Sequence, residues 1–106
     1  MVIDRLVAMT IGWAKDRNLI EGSDSKSQLL KTMSELGELA DAINKRRPAE
    51  IKDGIGDVLV TLIIVAAQEN LTIAECLGAV YEEIKDRKGR MVNGVFIKEG
   101  DNGKLQ

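Results

Sequence analysis

Apolar residues recur every three to four positions along most of this chain, and turn and cap residues fill the gaps where that spacing breaks. Over residues 2 to about 17, Val2, Ile3, Leu6, Val7, Met9, Trp13 and Ala14 share one face, which predicts an amphipathic helix. Glu21-Gly22-Ser23-Asp24-Ser25 reads as turn and cap, so a second helix starts with Ser25 or a neighbour as N-cap and runs to about Lys45. Its expected core face is Leu29, Met33, Leu36, Ala40 and Ile43, with Leu39 on the edge. Lys45-Arg46-Arg47 puts positive charge at that helix's C-terminus, and Pro48 suits the first turn of a third helix reaching about Asn70. The third helix is apolar on nearly every side from Val58 to Ala67, which predicts burial, while ten such residues fall short of the about 20 that span a bilayer. Thr72-Ile73-Ala74-Glu75 has the form of a capping box and opens a fourth helix, with Ile73, Leu77, Val80, Tyr81 and Ile84 on its apolar side and Gly89 as its stop. Asn93-Gly94 between Met91-Val92 and Val95-Phe96 signals a short β-hairpin, and a polar tail follows from Gly100.

The fold predicted is a single all-α domain over residues 1–106, a four-helix bundle-like subunit with a C-terminal β-hairpin and its third helix central. Four helices are too few to cover a helix that is apolar all round, so a homo-oligomer is expected. Only three aromatics in 106 residues imply an aliphatic core, and a net charge of −2 offers no general attraction to nucleic acid or an anionic membrane. Met1-Val2-Ile3-Asp4-Arg5 leads directly into the helical pattern without a signal peptide, so a cytoplasmic protein is expected.

The polar positions are as ordered as the apolar ones. At about 100° per residue, Asp53, Asp57, Thr61 and Gln68 form one stripe on the third helix, interrupted only by Ile64. Glu35 and Glu38 lie on the shoulder of the second helix's core face. With the turn centred near Arg46-Arg47, Glu38 and Asp57 stand nearly level, and a carboxylate at the edge of an apolar run must be paired or bind a cation. The chain has no histidine, which removes imidazole bases and histidine metal sites; one cysteine, Cys76, excludes an intrachain disulfide and is expected to be a buried thiol. Oxygen donors alone favour a hard ion, Mg²⁺ or Mn²⁺, which keeps positions for water and substrate phosphates. Lys85, Arg87, Lys88 and Arg90 form the densest basic cluster, either a phosphate site or a complement to the helix dipole. Trp13 is either a core or interface residue or a platform on which a base stacks.

Ser34-Glu35-Leu36-Gly37-Glu38-Leu39-Ala40-Asp41, followed by Asp53-Gly54-Ile55-Gly56-Asp57-Val58-Leu59, resembles the MazG-like nucleoside triphosphate pyrophosphohydrolases, most of all their short phage-type members. Glu35, Glu38 and Asp57 match the family's Glu-x-x-Glu, spacer, Glu-x-x-Asp pattern, and the segment from Lys85 to Phe96 is similar as well. The resemblance implies hydrolysis of a nucleoside triphosphate to monophosphate and pyrophosphate with Mg²⁺, by a dimer or tetramer. It also implies catalytic roles for Glu35, Glu38 and Asp57. The chain departs from the pattern at Gly54, where the family has glutamate, and at Glu82, where asparagine is common. Asp53, one turn before Asp57, is expected to supply the carboxylate that Gly54 lacks, completing a metal set of Glu35, Glu38, Asp53 and Asp57. A relative that binds nucleotide without turnover and a helical oligomerisation module are the alternatives.

Overall fold

In the computed structural model, which describes residues 2–100, the elements follow in the order α1 (Ile3–Asp16), α2 (Ser25–Asn44), α3 (Pro48–Gln68), α4 (Ile73–Ile84), β1 (Gly89–Val92) and β2 (Val95–Lys98). They fall into two compact units: one carries α1, α2 and α3, and the other carries most of α4 and the hairpin. The tail expected to fray lies, beyond Gly100, outside the described residues. No single helix among the described residues is long and apolar enough to cross a membrane.

In the first unit α3 is the common partner, packed against both α1 and α2. The helices α1, α2 and α3 all end in the same way. Asn18, Arg46 and Asn70 adopt left-handed φ values of 56°, 52° and 61°. The next residue's N–H then reaches back to a carbonyl of the last turn, Leu19 to Ala14 at 2.9 Å, Arg47 to Ala42 at 3.0 Å and Leu71 to Ala66 at 2.8 Å. These are Schellman closures built without glycine. They cut the chain into antiparallel segments whose levels follow from a turn centred between Arg46 and Arg47: Thr32 meets Thr61, Leu39 meets Gly54 and Ser25 meets Glu69.

The face on which α2 meets α3 differs from the expected one. Thr32, Glu35 and Ala42 are the buried residues of α2, whereas Leu29, Met33, Leu36, Ala40 and Ile43 are exposed. The reason is the row of small and hydroxyl residues along the seam. A Cβ built on Gly54 would lie 3.0–3.3 Å from Leu39, so glycine is what lets the two backbones come this close. Deeper in, Thr32 and Thr61 join through their hydroxyls at 2.8 Å, and Thr61 also donates to the Val58 carbonyl at 2.7 Å. Apart from Leu39, which packs over Gly54, the large aliphatic residues of α2 do not enter so narrow a seam and lie on one flank. On α3 the burial expected from Val58 to Ala67 is therefore partial: Ile63, Ile64 and Ala66 are buried, while Leu59 is exposed, as is Ile55 before it. On α1 only Ala14 is buried, and Val2, Ile3, Leu6, Met9 and Trp13 are exposed.

The N-cap of α2 is Asp24 rather than Ser25; its carboxylate accepts the Ser27 N–H at 2.8 Å. Pro48 stands at the start of α3 as its fixed φ favours. In the second unit, α4 opens at Ile73, directly after Thr72, and has no fully buried residue; Cys76 is half-buried rather than buried. Gly89 does not stop α4, which ends at Ile84, but begins β1, where a Cβ would collide with the Ile97 carbonyl and the Phe96 ring. The antiparallel hairpin pairs Gly89 with Lys98 and Val92 with Val95, turning on Asn93 and Gly94 with φ of 50° and 81°, the double positive φ that Asn-Gly supplies.

Candidate active site

Close to the α2–α3 turn a pocket of about 300 Å³ opens on one flank of the helix pair, lined by Glu38, Asp41 and Ala42 of α2, Arg47 at the turn, and Glu50, Asp53, Gly54 and Asp57 of α3. Helical spacing explains the gathering: Glu38 and Asp41 are three apart, Glu50 and Asp53 three apart, and Asp53 and Asp57 four apart, so each set faces one side of its helix. The five carboxylates are not equivalent. Asp41 pairs with Lys45 at 3.0 Å and Glu50 with Arg47 at 3.4 Å. Among the described residues, the side chains of Glu38, Asp53 and Asp57 make no hydrogen bond or ion pair. Three of the four residues expected to bind metal are thus brought to one pocket with their oxygens uncommitted.

The fourth, Glu35, is placed differently. It is 8% exposed on the face of α2 toward α3, does not line the pocket, and pairs with Lys31 one turn earlier at 3.1 Å. It stands level with Val58, so Asp57 falls between the levels of Glu35 and Glu38. Among the described residues no three acidic side chains stand close enough together to hold one ion. The donor set still suits a hard cation such as Mg²⁺, which is usually held by one or two carboxylates and completes its shell with water and phosphate oxygens.

A role in the helix dipole does not account for Asp53: α3 begins at Pro48 and its first-turn acid is Glu50, so Asp53 lies past the reach of that effect. Gly54 gives the Asp53 side chain no added room, because the space beside it is filled by Leu39. Sequence reasoning missed Asp41, Glu50 and Arg47; their spacing from Glu38 and Asp53 was the available signal.

The basic cluster belongs to the second unit. Lys85 pairs with Glu82 at 2.8 Å, Arg87 is exposed, and Lys88 and Arg90 join Lys98 around a hairpin cleft of about 430 Å³. Trp13 lies outside the acidic pocket, and the Arg17 guanidinium sits over its ring at 4.7 Å, occupying one stacking face.

Helices carrying a pocket of uncommitted carboxylates, with no histidine or paired cysteine, define a class of acidic all-α proteins suited to hard cations. Residues 23–92 match the model of the MazG nucleotide pyrophosphohydrolase domain, and the chain belongs to that family. It is also similar, at 41% identity over 69 residues, to an uncharacterized 18.2 kDa protein of the rep-hol intergenic region in Haemophilus phage HP1 (strain HP1c1). That match covers 65% of this chain and 42% of the phage protein, so the chain spans less than half of that relative's length. No solved structure matches.

Proposed function

We propose that the protein is a Mg²⁺-dependent nucleoside triphosphate pyrophosphohydrolase that releases monophosphate and pyrophosphate. The observation that carries this reading is the set of three uncommitted carboxylates, Glu38, Asp53 and Asp57, in one pocket of a MazG-family chain. One or two of the carboxylates Glu38, Asp53 and Asp57 would hold the cation directly and the rest through water, with Glu35 recessed outside the pocket. Bound Mg²⁺ would neutralise phosphate charge and acidify an attacking water. In the reaction the water oxygen bonds to phosphorus, the bridge between the α and β phosphates breaks, pyrophosphate leaves, and a pocket carboxylate accepts the water's proton. Arg47, which lines the pocket, offsets charge on the phosphates. The exposed Leu29, Met33, Leu36 and Ile43 are covered by a second copy in a homo-oligomer, since monomers rarely expose apolar patches beyond a few hundred Å².

Incubation with Mg²⁺ and a panel of nucleoside triphosphates is expected to yield pyrophosphate, and Asp53→Asn to abolish that yield and weaken Mg²⁺ binding. Near-native turnover in Asp53→Asn would remove Asp53 from the metal set. Gly54, standing where the family has glutamate, favours a second reading, a nucleotide binder without turnover; nucleotide binding with no pyrophosphate release would establish it.

A further inference from the structure

One basic side chain opens into the acidic pocket, and its charge is of no use to a cation site. Arg47 lines the pocket with the five carboxylates, whereas its sequence neighbours Lys45 and Arg46 do not. Lys45 is held by Asp41 at 3.0 Å. The Arg47 backbone is fixed from both sides, its N–H on the Ala42 carbonyl at 3.0 Å and its carbonyl accepting the Ile51 N–H at 2.9 Å. Its side chain is the loose part. Nη1 stands 3.4 Å from the Glu50 carboxylate, and both groups are more than half exposed. An exposed pair of that length is worth little, so a better acceptor displaces Glu50 readily. Phosphate is such an acceptor, because two of its oxygens meet the guanidinium fork at once.

Position along α3 decides which phosphate. On the reading above, a water acidified beside Glu38, Asp53 and Asp57 attacks the α phosphorus, so the α phosphate lies against those carboxylates. Arg47 comes six residues before Asp53, about 9 Å nearer the turn, and an extended arginine reaches back over much of that distance. The sugar on one side of the α phosphate is uncharged and offers a guanidinium nothing. The two phosphates on the other side carry the charge that Arg47 can answer. Asp41, at the same end of the pocket, is already neutralised by Lys45.

Resting on the pyrophosphohydrolase reading, we propose that Arg47 leaves Glu50 to clamp the β and γ phosphates, and that this clamp selects nucleotides with three phosphates. As the water oxygen bonds to the α phosphorus, the bond from that phosphorus to the bridging oxygen breaks, and its electron pair stays on the departing pyrophosphate. The growing charge falls under the guanidinium, while the water's proton goes to a pocket carboxylate. A diphosphate attacked in the same way would expel orthophosphate, which lacks the terminal phosphate that Arg47 holds.

The probe is inorganic pyrophosphate, titrated calorimetrically into the full chain with Mg²⁺, alongside a nucleoside monophosphate. Arg47→Ala is expected to weaken pyrophosphate binding at least about tenfold and to leave the monophosphate within about twofold. Arg47→Lys, which keeps the charge without the fork, should fall between. Glu50→Gln frees the guanidinium and should tighten pyrophosphate, a gain that shrinks when Arg47→Ala is added. In turnover, Arg47→Ala should narrow the preference for triphosphate over diphosphate. Unchanged pyrophosphate binding in Arg47→Ala, or equal loss of both ligands, would overturn the clamp. So would a Glu50→Gln gain of full size without Arg47, or an unaltered triphosphate preference. Any of these with pyrophosphate still released would leave the pyrophosphohydrolase reading standing, whereas a native chain that neither binds pyrophosphate nor cleaves any triphosphate would remove both.

Discussion

The two flanks of the α2–α3 pair are built on the same helices yet do opposite things with their side chains. On one flank, carboxylates and Arg47 line a recess; on the other, Leu29, Met33, Leu36, Ile43, Ile55 and Leu59 stand exposed. Between them runs a seam of the small or hydroxyl residues Thr32, Ala42, Gly54 and Thr61, with Leu39 packed over Gly54, which sets how closely the helices approach. The comparison teaches that hydrophobicity did not choose the contact face within this chain. Close packing did, leaving the larger aliphatic residues as an unsatisfied surface and the acids as an open one.

The sharpest way to separate the flanks is to disable one and watch the other. Glu38→Gln keeps the shape of the acidic recess and removes its charge. It should lower pyrophosphate release by at least roughly a hundredfold, with mass by light scattering and melting temperature unchanged. Leu36→Lys should do the converse, shifting the mass toward the monomer at micromolar concentration; an unchanged mass would mean the apolar flank is not where copies meet. A smaller effect is expected at the seam. Gly54→Glu must push Leu39 aside, and overpacking of that kind costs about 1–3 kcal/mol, read by denaturant unfolding. Smallest of all, Arg46→Gly should stabilise the turn by up to about 1 kcal/mol, because glycine adopts the left-handed conformation without the Cβ penalty.

Much of this arrangement was legible beforehand. The turn at Arg46 and Arg47, the levels of Glu38 and Asp57, and the Asn93-Gly94 hairpin follow from local chemistry that one segment carries by itself. The face of α2 was not legible, because apolar periodicity reports that a residue is wanted in some core without saying whether that core lies within the chain. The burial of Glu35 was not legible for a related reason: it follows from how near α3 comes, which Gly54 decides from another helix. The closures at Asn18, Arg46 and Asn70 were hidden because none is the glycine that usually marks such an end. Asp41 and Glu50 were visible as spacing but not as neighbours until the turn had folded.

Trp13 is the chain's one tryptophan, and it sits on α1 between Ile11 and Lys15, which line a cleft beside Gln68. The residue is 44% exposed and has the Arg17 guanidinium over one face of its ring, while Arg17 also donates to the Trp13 carbonyl at 3.1 Å. An indole so placed is an optical gauge. Its emission reads the polarity of its surroundings and the nearness of that cation, so any event that shifts the end of α1 changes the signal without a dye or label.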